Sequence, residues 1–162
     1  MSSFITMKRR LVGPLAAAVL LAVASLPVMA QSESGGAPAQ SPAEKAAQMY
    51  LEVSNPSGGD SIHVGGYMME GMAFDRAADE GAGIDHVEIF LDNRDTGGVL
   101  IGSGQMGAAS PVPDDPQLAE AAWSAQVNVP RNMIGPRTMF VYTMSAITGG
   151  ELVVGIPITV VP

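Results

Sequence analysis

The chain has 162 residues, 47% of them apolar, with eight basic and sixteen acidic side chains for a formal charge of −8, and it contains no cysteine. That charge excludes nucleic acid and anionic membrane surfaces as partners, because both are polyanions and repel it. The missing cysteine excludes a disulfide framework and a lipid anchor carried on an N-terminal cysteine, so stability has to come from burial.

Taken in chain order, Lys8, Arg9 and Arg10 precede an apolar run over 11–26, and Val28 and Ala30 put small residues at −3 and −1 of a cleavage point. This is the pattern of a secretory signal peptide over 1–30, which predicts a mature chain that starts at Gln31 and is secreted or periplasmic. The competing reading is an uncleaved anchor. Gly13 and Pro14 break the run early, leaving less than the ~20 apolar residues that a spanning helix needs. Met7, directly before Lys8, offers an alternative start. The leader holds three of the eight basic residues, so the mature part keeps Lys45, Arg76, Arg94, Arg131 and Arg137 against sixteen acids, a formal −11. Solubility is the plain explanation of that charge.

Residues 31–47 read as a flexible linker. The stretch QSESGGAPAQSPA has nothing to bury, and AEKAAQM after it has room for a helical turn but reads as the linker's end. From residue 48 the pattern changes to short alternating runs separated by Gly, Pro, Asn and Asp. Strands are predicted over 50–54, over 62–64 continuing through 66–74, and over 84–91, 99–102, 123–129, 138–145 and 152–161. Residues 75–83 and 92–98 read as a polar loop and a turn. Residues 107–117 read as a long Pro-rich loop, and 116–122 as the one short candidate helix within the domain. The glycines of Gly102-Ser103-Gly104 read as a turn. About seven strands in roughly 110 residues, with turns at this spacing, predict an all-β domain over 48–162. The expected form is a two-sheet immunoglobulin-like sandwich, with a small barrel as the alternative.

GMAFD at 71–75, GAGIDHVEIFLDNRDTGGVLIG at 81–102, Trp123, and GPRTMFVYTMSAITGGE at 135–151 together resemble a bacterial immunoglobulin-like domain of secreted and cell-surface proteins. The resemblance covers roughly 50–161. It implies a β-sandwich with a binding, spacer or adhesion role, and it carries over no site residue. The cysteine pair and strand-C tryptophan of antibody-type domains are missing.

The residues offer little catalytic chemistry. His63 and His86 are the only imidazoles, too few for a superoxide dismutase-type copper site. No Gly-x-Ser-x-Gly context exists for a nucleophilic serine. The chain therefore reads as non-enzymatic, with no cofactor. Asp75, Asp79, Glu80 and Asp85 crowd one loop, and Asp92, Asn93 and Asp95 another. Calcium would take Asp92 and Asp95 first, but the spacing of neither loop is that of an EF-hand, and Asx turns explain both more simply. Methionine is abundant, and soft thioethers bind Cu(I), so a periplasmic copper carrier using Met and His is the alternative function. Met68 and Met72 share one face of their strand while Met69 lies opposite, so the three cannot converge on one ion. Core packing by methionine is the plainer reading.

Strand faces point to a surface. Val87, Ile89 and Leu91 read as core, because Glu88 between them cannot be buried unpaired. Met139, Val141 and Thr143 form the inner row of the next-to-last strand, and Val154, Ile156, Ile158 and Val160 that of the last. The outer face then carries Phe90, Phe140, Tyr142, Met144 and Val153, a candidate interface for a protein or glycan partner or for self-association. The competing reading is that the 107–117 loop or the N-terminal segment folds over this face. Trp123 is expected between the sheets or at their rim, with its ring N–H hydrogen-bonded.

Overall fold

The structure, a computed structural model, describes residues 39–108, 114–115 and 118–162. The predicted leader, the linker up to residue 38 and most of the Pro-rich loop lie outside the described residues. Among the described residues the chain forms eight strands: β1 (Met49–Asn55), β2 (Ser61–His63), β3 (Gly65–Asp75), β4 (Ile84–Leu91), β5 (Val99–Met106), β6 (Ala122–Val129), β7 (Gly135–Ser145) and β8 (Glu151–Val161). The all-β class expected from the turn spacing is what forms. The strands hydrogen-bond in the single order β1-β3-β6-β5-β4-β7-β8-β2, an eight-stranded sheet that curls upon itself. β5 keeps it continuous. Its opening residues pair with β4, and Gln105 and Met106 at its end pair with Ser124 and Trp123 of β6.

Curling gives the sheet one inner face. Leu51, Ile62, Met69, Val87, Ile89, Leu91, Ile101, Trp123, Val127, Val141 and Ile158 meet there in a single core to which every strand contributes. The alternation in β4 and β8 falls as the sequence requires, with Val87, Ile89 and Leu91 fully buried and Ile156, Ile158 and Val160 nearly so.

Four local expectations change. The run from 62 to 74 is two strands, because Gly65 at φ +102° turns the chain. β2 then pairs in parallel with β8, and β3 runs antiparallel to β1 and β6. Gly102-Ser103-Gly104 is strand, where a turn was expected. A side chain at Gly104 would stand 2.8 Å from Val87 Cβ, and one at Gly102 2.9 Å from Val127 Cγ1. These glycines answer close approach, as strand glycines often do. Leu118 to Glu120 form turns and Ala122 opens β6, so the described portion of 116–122 is not helix. A short helix α1 (Pro42–Ala46) does form ahead of β1. Ser41 accepts from the Glu44 N–H and Glu44 accepts from the Ser41 N–H, a reciprocal capping box.

Candidate functional site

The candidate interface lies on the outer face of β5, β4, β7 and β8. In register, Leu100 faces Phe90, Phe90 faces Phe140, and Phe140 faces Gly155. The next row is Glu88, Tyr142 and Val153, and the one after it His86, Met144 and Glu151. The Phe90 and Tyr142 rings meet edge to face with centroids 5.5 Å apart, and Phe140 lies tilted against Tyr142 at 6.3 Å. Gly155 lets the Phe140 ring lie across β8, since a Cβ there would come within 3.2 Å of Phe140 Cε1. Phe90, Phe140 and Met144 are half-buried. Leu100 is 50% exposed and Val153 39% exposed.

Tyr142 departs from the expected picture. It sits on the outer face by alternation, yet only 3% of it is exposed. Among the described residues its cover comes from the β4–β5 turn. The β4–β5 turn closes in a 3₁₀ turn at Arg94–Thr96, and Arg94 extends back over the sheet. Its guanidinium lies 4.1 Å from the Tyr142 ring centroid. Its two terminal nitrogens donate to the two carboxylate oxygens of Glu151, each at 2.9 Å. The Arg94 N–H also donates to the Tyr142 hydroxyl, at 3.2 Å. The Glu151 hydrogen bonds hold the guanidinium's pKa above its ordinary value, against a desolvation that lowers it; charge from Glu151 and Asp95 adds to the rise. A planar cation on an aromatic face with a bidentate carboxylate is the arrangement for which arginine is suited and lysine is not. Neither Arg94 nor Glu151 stood out in the sequence.

The oxygen-rich loops are held by their own polar contacts. Asp75 Oδ1 accepts from the Ala77 N–H, and Asn93 Oδ1 from the Asp95 N–H, two Asx turns. Asp92 is ion-paired with Arg137 at 2.8 Å, and Asp95 lies 3.5 Å from Arg94 Nε. Among the described residues no group of three or more His, Asp or Glu is placed to hold a metal. Met68 and Met72 do share the outer face of β3 while Met69 is buried in the core. Four residue steps along the strand set the pair ~13 Å apart, beyond the reach of one ion. His86 bonds the neighbouring Asp85 at 2.7 Å, and His63 contacts the carbonyl of Pro162.

Asp75 also ends the strand structurally. Fully buried, its Oδ2 accepts from the hydroxyls of Ser145 and Thr148, tying the end of β3 to the β7–β8 turn. Trp123 is buried as expected, but its ring N–H has no partner among the described residues. The indole lies against Gly71 and Gly104, which offer no side-chain acceptor.

No protein-family model matches the chain, and no curated protein does. Among solved structures it is similar to the fibronectin(III)-like modules of Clostridium thermocellum CbhA, at 13% identity and a TM-score of 0.38. The match covers 69% of this chain and 46% of that one, so the chain spans less than half the length of the structure it resembles.

Proposed function

We propose that the chain is an exported, non-enzymatic binding, adhesion or spacer module with an immunoglobulin-like sandwich fold. Its working surface is the outer face around Phe90, Phe140, Met144 and Val153. One observation carries the reading: this face gathers Leu100, Phe90, Phe140, Val153 and Met144 into an apolar patch bordered by Glu88, His86 and Glu151, where a solvated sheet would be mainly polar. Tyr142, clamped by Arg94 and Glu151, serves as the fixed floor against which Phe90 and Phe140 are held. Rigid aromatics anchor interfaces because little side-chain entropy is lost when they are covered. The leader over 1–30 supports export, and the sparse catalytic chemistry supports a non-enzymatic role.

Self-pairing is the occupant to test first. Leu100→Lys with Val153→Lys adds two charges at the exposed margins of the face and replaces no buried side chain. Sedimentation velocity over a concentration series should show wild-type association that the double variant loses, with the unfolding midpoint unchanged. A wild type that stays monomeric throughout, or a double variant that associates as before, would sink self-pairing through this face.

A further inference from the structure

A second surface lies on the other half of the sheet. The outer face of β1, β3 and β6 holds a groove of about 540 Å³, within the size range of ligand sites. Register fixes its lining. Glu70 of β3 faces Ser124 of β6, and Met72 faces Glu52 of β1 on one side and Ala122 of β6 on the other. Glu52 and Glu70 are thus diagonal neighbours, with Cβ atoms ~7–8 Å apart. The next row along β1 and β3 is Tyr50 stacked on Phe74, centroids 5.0 Å apart. The Tyr50 hydroxyl donates to Glu52 at 2.5 Å and orients that carboxylate. None of Lys45, Arg76, Arg94, Arg131 and Arg137 lines the groove. Trp123 borders the groove, while its indole is buried in the core on the inner face.

We infer that this groove receives an extended polypeptide segment bearing arginine or lysine. Two carboxylates across a thioether and a small alanine suit a cationic head on an apolar stem, which is the anatomy of those side chains. A stacked aromatic pair one row away adds a face that favours a cation. Two carboxylates fall short of the six to eight oxygens that a calcium ion takes, so an organic cation fits better than a metal. Length selects a polypeptide over a small amine. The outer stripe of β3 from Phe74 to Met68 runs ~20 Å, several times what one amine covers. The stripe also borders β1, the strand that begins the sheet order among the described residues, and terminal strands are where extended chains add. The net charge of −8 draws cations to the whole molecule; the groove supplies the place.

The test titrates the full chain with an end-capped tetra-arginine peptide. Calorimetry gives the affinity, and two-dimensional NMR locates the site. The expected result is saturable binding with shifts confined to residues 50–54, 68–74 and 122–126. Glu52→Gln with Glu70→Gln should weaken it about tenfold or more. Met72→Lys, which places a built-in cation in the groove, should do the same and guards against a folding defect in the first variant. Asp79→Asn with Glu80→Gln removes equal charge from an exposed loop outside the groove and should leave the affinity within about twofold. Absence of saturable binding overturns the inference. So does an equal loss in the Asp79/Glu80 control, which would make the attraction one of bulk charge. Spermidine binding as tightly as the peptide would assign the groove to small amines and overturn the polypeptide reading. These outcomes do not depend on the β4–β7–β8 face, so either surface can fail alone.

Discussion

Replacing Trp123 with alanine removes the largest fully buried side chain, one that is 1% exposed. An aromatic side chain buries ~150–250 Å², which at ~25 cal/mol per Å² corresponds to ~4–6 kcal/mol. The extended-chain reference overstates this by ~10–40%, bringing the expected loss to ~3–5 kcal/mol. The walls of the resulting cavity decide where in that range it falls. Gly71 and Gly104 flank the indole and have no side chains to swing into the space, so the upper half is expected. Against a total of ~5–15 kcal/mol, that removes much of the stability. Trp123→Phe isolates the ring nitrogen. It keeps most of the packing and deletes a buried N–H without a partner, whose desolvation costs ~1–3 kcal/mol, so this change should cost only ~1 kcal/mol. Urea titration followed by far-ultraviolet circular dichroism is the assay, since both variants lack the chain's only tryptophan. A loss below ~1 kcal/mol for alanine would place the indole outside the core. A phenylalanine variant as damaged as the alanine one would mean that the N–H is satisfied after all.

Asp75→Ala should be among the most destabilising polar changes, by ~3–5 kcal/mol in the same titration, because it strands the Ser145 and Thr148 hydroxyls at the β7–β8 turn; an effect under ~1 kcal/mol would show those hydroxyls rebonding elsewhere. Tyr50 should ionise above its ordinary value of 10.0, mainly because its hydroxyl donates to Glu52, with desolvation and that residue's charge adding to the shift. A raised pKa means that the bond contributes fully below the unfolded value and is lost as pH climbs through the folded one. Alkaline titration of the Tyr50 ring signals by NMR should show this phenol moving down towards 10.0 in Glu52→Gln; an unmoved titration would show that the hydroxyl is not held by Glu52.

Alternation made much of the inner face readable. A charged residue such as Glu88 inside an apolar run fixes which neighbours face the core, and one such residue sets the whole strand. Glycine was harder to read. Gly65 reverses the chain, while Gly102 and Gly104 sit mid-strand because Val127 and Val87 press against them; the letter is the same and only the tertiary neighbours differ. The α1 start was written in Ser41-x-x-Glu44, the spacing of a capping box. The Arg94 cover was not written anywhere. Its partners Tyr142 and Glu151 lie 48 and 57 positions away, and no periodicity relates a turn residue to a strand so distant. Alternation therefore places Tyr142 on the right face and says nothing of its exposure. The groove escaped for a related reason: Glu52, Glu70 and Ser124 become neighbours only through the register of three strands.

The parallel pairing of β2 with β8 has a mechanical consequence. Hydrogen bonds run from Gly59 N–H to Pro157, from Thr159 N–H to Asp60 and from Val64 N–H to Val161, stitching the start of the domain along its last strand. In a parallel pair, tension applied through the chain's two ends pulls the strands along their common axis in opposite directions. Every bond in the seam is then loaded together in shear, where an antiparallel hairpin pulled from its open end would unzip bond by bond. A tether attached at both ends of this domain would meet its resistance at that seam, once β1, which lies upstream of it, had been drawn away.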